Sequence, residues 1–116
     1  MTMSVNKIFY KVQKHLLKQH EKSESMEAGC QYRSDNGLSC AVGCLMTDDV
    51  YDSFFEGQSA RGSLVREALT PIVGVNEEKR EIKLGLLYQL QLVHDDSPVE
   101  DWGTALAQLK LDFNIS

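Results

Sequence analysis

Three cysteines and three histidines are the side chains of this 116-residue chain most suited to chemistry. All three cysteines fall within CQYRSDNGLSCAVGC, Cys30 to Cys44. Cys30, Cys40 and Cys44, joined by His20 or His94, compose a Cys3His set for zinc. Structural zinc usually takes two close ligand pairs, each on its own knuckle or helix. Here the spacings are C-x9-C and C-x3-C, and the fourth ligand comes from elsewhere in the chain. The competing reading is burial, because free cysteine behaves as a small apolar residue. That reading is preferred, so no metal and no cofactor are expected.

A nucleophile is the second chemistry to weigh. Cys40 stands where a strand is expected to run into a helix. A helix N-terminus lowers a thiol pKa and leaves N–H groups free for an oxyanion. His94 is the candidate base, with Asp95 or Asp96 to orient it. Consecutive helical residues diverge by about 100°, so Asp95 is not expected to reach His94. A thiol-dependent hydrolase using Cys40 and His94 is therefore an alternative, not the leading reading. His94-Asp95 also reads as a helix C-terminus, with His near the negative end of the dipole.

Charge supplies the binding candidates. Residues 1–22 carry five lysines against Glu21, for +4. The other 94 residues carry seven basic and sixteen acidic groups, for −9, and the whole chain carries −5. An acidic body makes nucleic acid an unlikely partner. Lys7, Lys11, Lys14, Lys18 and Lys22 repeat at intervals of three and four, so they share one helix face. That face can stay solvated, meet an acidic partner, or meet the acidic body of a second copy, which allows a homodimer. With Arg33 or Arg61 it can also hold phosphate, which makes a binder that sequesters a phosphorylated small molecule or nucleotide signal a further alternative. Asp48, Asp49, Asp52 and Glu56 surround Tyr51, Phe54 and Phe55, an acidic and aromatic group without the turn glycine of a calcium loop. No phosphate loop, dinucleotide fingerprint, serine elbow or HExxH is present.

The elements that position these residues are mostly helices. Apolar residues are 42% and charged residues 25%, as in globular domains, and the length suits one domain over 1–116. No run approaches the roughly 20 apolar residues of a membrane span. The N-terminal stretch lacks an apolar run with a cleavage site, so no signal peptide is expected. The odd cysteine count fits a reducing cytosol.

Val5, Ile8, Phe9, Val12 and Leu16 predict a helix over 4–20, capped by Ser4. Residues 21–29 read as a loop. Residues 30–33 and 38–40 read as strands around the turn Ser34-Asp35-Asn36-Gly37. A short helix is expected from Ala41 to Met46, and another after Thr47. Ser59 or Ser63 caps a helix that stops at Thr70-Pro71. Asn76-Glu77-Glu78 starts the next. Residues 82–93 alternate like a strand, yet Ile82, Leu86, Leu90 and Val93 also form a helical stripe, and the length favours helix. Ser97-Pro98-Val99-Glu100 reads as a capping box ahead of Trp102, Leu106, Leu109 and Phe113. The fold class is mainly α (α+β): five or six helices with one small hairpin near residues 30–40.

CAVGCL at Cys40 to Leu45, YRSDNGL before it, DDVYDSFFEG, LLYQLQLVHD and Trp102 together resemble a family of small tailed-phage and prophage proteins. The resemblance runs from Cys30 onward and is weaker over the first helix. Thr47 stands where proline often follows the apolar turn in that family, which bears on the local helix boundary. The resemblance implies a compact, mostly helical domain made in a bacterial host, and assigns no catalytic residue. The leading expectation is a cytoplasmic accessory protein that binds a host protein, as an inhibitor or against host defence. Its surface is expected at Lys7, Lys11, Lys14 and Lys18, or at Tyr51, Phe54 and Phe55.

Overall fold

The first helix carries its apolar residues on one side only, and they meet the apolar faces of two later helices. This packing is seen in a computed structural model that describes residues 2–26 and 29–116. Helix α1, Val5–Gln19, buries Ile8, Phe9, Val12 and Leu16. Ser4 caps it by accepting from Lys7 N at 3.1 Å, worth about 1 kcal/mol. His20 ends it in the left-handed region, with its N–H returning to Leu16 O. Lys22 therefore lies beyond the helix and leaves the lysine row.

Helix α4, Glu77–Asp96, is the central element, with α1 on one side and α5, Trp102–Asp112, on another. Asn76 caps α4 through Lys79 N. Leu84, Leu86, Leu87, Leu90, Val93 and His94 are all buried, at spacings only a helix brings inward together. Ile82 departs from the expected stripe: it is 50% exposed, a turn closer to solvent at the start of α4. Helices α2, Ser63–Ala68, and α3, Thr70–Val73, are one segment bent at Leu69. Pro71 is the second residue of the second piece, in the first turn where its missing N–H costs nothing, so the chain bends instead of stopping. Among the described residues no helix is long and apolar enough to cross a membrane.

The structure is mainly helical with one small hairpin, as expected, but the hairpin lies earlier. Strands β1, Glu24–Ser25, and β2, Gly29–Cys30, pair antiparallel with Glu24 opposite Cys30 and Ser25 opposite Gly29. The expected pairing of 30–33 with 38–40 contracts to one bridge, Arg33 with Ser39. The reason is a competing acceptor. Glu56 takes the backbone N–H groups of Tyr32 and Arg33 on its two carboxylate oxygens, at 2.9 and 3.0 Å. The turn between the bridged residues does form, with Gly37 at φ +85°.

Two expected helices shrink to single 3-10 turns, Gly43–Leu45 and Ser53–Phe55. Thr47 caps nothing, because its hydroxyl donates to the Asp49 carboxylate instead. The Ser97 capping box is also replaced. A 3-10 turn, Val99–Asp101, leads into α5, and the carbonyl of Ser97 accepts from Trp102 Nε1 at 3.1 Å.

Candidate functional site

The C-terminal turn of α4 meets the first hairpin around a buried imidazole. His94 is fully buried, stacked on Trp102 with ring centroids 5.6 Å apart. The backbone N–H of Ser23 donates to His94 Nε2 at 2.9 Å. That nitrogen therefore holds the lone pair, and the ring proton sits on Nδ1. Nδ1 donates to Asp95 Oδ1 at 2.7 Å. Gln91, one turn earlier, donates to the same oxygen at 3.0 Å. Lys22 Nζ donates to the Asp95 carbonyl, a cation on the negative end of α4.

Asp95 thus does reach His94, against expectation. Its short side chain folds back along the helix because Gln91, His94 and Cys30 all place donors there. Burial pushes the Asp95 carboxyl upward, but the hydrogen bonds from His94 and Gln91 outweigh it and hold the pKa below the usual range.

Cys30, not Cys40, is the thiol beside this pair. One ligand atom from each of Cys30, His94 and Asp95 lies within 4.8 Å of the others. Cys40 and Cys44 stand outside that set, and His20 is an exposed cap of α1. A metal at this point would need a free imidazole nitrogen. Both are engaged: Nε2 faces an N–H that cannot turn into an acceptor, and Nδ1 carries the proton. The donor set does not fit zinc in this arrangement.

Nor is any thiol activated. Cys40 is fully buried, its sulfur accepting from Gly43 N at 3.3 Å, and burial pushes its pKa up to about 12. Burial does the same to Cys44, to about 12, and its thiol donates to Ala41 O. Cys30 is half-buried; burial first, then the Asp95 charge, raise it from 9.0 to about 11. Two pH units leave about a hundredth of the usual thiolate, partly offset by greater intrinsic nucleophilicity. Alkylation of Cys30 by iodoacetamide near neutral pH is expected about tenfold slower than for a free cysteine. Peptide mapping of the modified protein checks this, and a rate above that of free cysteine would reveal an activated thiol.

The expected binding residues separate into surface and core. Lys7, Lys11, Lys14 and Lys18 are all exposed, within a sector of about 60° on α1, and none makes an ion pair among the described residues. Phe55 is 6% exposed and packs in the core, whereas Phe54 is 77% exposed. Tyr51 is half-buried, its hydroxyl donating to Glu56 at 2.5 Å. Arg33 is spent on structure: it pairs with Asp48 at 2.8 Å, donates to Met46 O and lies over the Tyr51 ring.

Ser23, Gln91 and Tyr88 are not expected as site residues from the sequence, whereas Arg61, a phosphate candidate there, lines the groove beside the node. A groove of about 420 Å³ runs beside the buried node, walled by Cys30, Gln58, Arg61, Tyr88 and Asp95 among others. Only Gln91 left a signal, as a lone amide in a leucine-rich helix four residues before an aspartate. Comparison with protein-family models, with curated proteins and with solved structures finds no match.

Proposed function

We propose that this chain is a non-enzymatic accessory protein of tailed-phage type. It acts in the cytoplasm of a bacterial host by binding a host protein through the lysine face of α1. One observation carries the reading: four exposed lysines in one row, about 16 Å long, with no acidic partner among the described residues. A protein of net charge −5 that keeps such a row unpaired presents a local positive field on an acidic body. Its complement is an acidic protein surface, recognised with fast, salt-sensitive association. The protonated thiols and the occupied imidazole support a binding role over a thiol hydrolase. Phosphate sequestration draws less support, because Arg33 is committed elsewhere and the lysines stand on a convex helix face.

The test is K7Q/K11Q/K14Q/K18Q, which keeps helix propensity while removing the row. A host protein captured by the wild-type chain should bind this variant at least about tenfold more weakly, with its salt dependence flattened. Unchanged affinity would refute the proposed surface.

A further inference from the structure

The groove beside Asp95 bears opposite charges at its two ends. Tyr88 and Asp95 both line it from α4. They are seven residues apart, two helical turns, and so about 10 Å along the axis. At the Tyr88 end the Arg61 guanidinium lies 5.1 Å from the ring centroid, and Arg61 is exposed and makes no ion pair among the described residues. The Tyr88 hydroxyl is buried and has no hydrogen-bond partner among the described residues. At the other end the bonds from Gln91 and His94 both land on Oδ1 of Asp95. Cys30 adds a weak thiol donor to that carboxylate. Gln31, Gln58 and Ser59 also line the groove and offer neutral donors and acceptors.

We infer that this groove binds a short peptide with free termini, about three residues long, its carboxylate on Arg61 and its ammonium on Asp95. An extended chain advances about 3.3–3.6 Å per residue, so three residues match the roughly 10 Å axial spacing of Tyr88 and Asp95 on α4. The side-chain amides of Gln31 and Gln58 suit the peptide groups of such a ligand. A phosphate ester suits the groove poorly, because Asp95 repels it at one end. The site is separate from the lysine face and stands or falls independently of it.

Trialanine is the probe, titrated into isotope-labelled protein and followed by backbone amide shifts. Saturable shifts are expected at Gln31, Gln58, Ser59, Tyr88 and Asp95. N-acetyl-trialanine amide, which has neither charge, should bind at least about tenfold more weakly, as should trialanine to Arg61→Ala. Arg61 is exposed, so that variant keeps its fold, which the unperturbed remainder of its spectrum reports. Absence of shifts with millimolar trialanine overturns the proposal. So does equal binding of the blocked peptide, or tighter binding of inorganic phosphate.

Discussion

Gly43→Ala is expected to destabilise the protein by about 4 kcal/mol or more, enough to leave a substantial unfolded fraction in a domain of ordinary stability. The reason is space, not backbone conformation. A β-carbon on residue 43 would stand 2.0 Å from the carbonyl oxygen of Tyr32, 2.7 Å from its carbonyl carbon and 3.0 Å from its Cα. All three are backbone atoms, so no side chain can swing aside. The segment cannot retreat easily either. Cys40 N donates to that same Tyr32 oxygen at 3.2 Å, and Glu56 holds Tyr32 N from the other side. Gly85→Ala is the control. Nothing lies within 4 Å of a β-carbon there, and the site is interior to α4. That change should stabilise by about 0.5–1 kcal/mol through helix propensity. Urea unfolding of the two variants checks both signs. Equal midpoints would mean that the apolar turn does not close on Tyr32.

The second large effect belongs to His94. His94→Ala should cost about 3–5 kcal/mol. It strips the acceptor from the buried Ser23 N–H, takes a donor from Asp95, and opens a hole against Trp102. A catalytic histidine with a solvent-facing nitrogen behaves differently: its alanine variant typically folds well and loses only activity. Chemical denaturation followed by Trp102 fluorescence separates the two. Wild-type stability in His94→Ala would contradict the structural role of this node.

Much of the helical frame was legible from local chemistry. Ile8, Phe9, Val12 and Leu16 announce α1 by spacing, and Ser4 and Asn76 mark starts that their side chains do cap. What was not legible depends on satisfying buried groups at long range. Ser23 meets His94 across 71 positions, and Glu56 reaches back 24 to Tyr32, so neither contact leaves a period in the chain. Glu56 reads as one more acid on a charged face until its carboxylate is seen holding two amides. Phe54 and Phe55 are the same residue type side by side, and only the 3-10 turn decides which is buried. The hairpin shifted for the same reason: the turn chemistry at Ser34–Gly37 was sound, but the strand before it found a carboxylate instead of a partner strand.

As proposed, the protein binds through the row Lys7, Lys11, Lys14 and Lys18 and uses no thiol chemistry. One parallel capture from bacterial lysate tests it most directly, with four baits: wild type, K7Q/K11Q/K14Q/K18Q, Cys30→Ser and Arg61→Ala. One acidic host protein is expected to be retained by wild type, Cys30→Ser and Arg61→Ala, and lost from the lysine variant at physiological salt. A host protein retained by the lysine variant but lost from Cys30→Ser would contradict it.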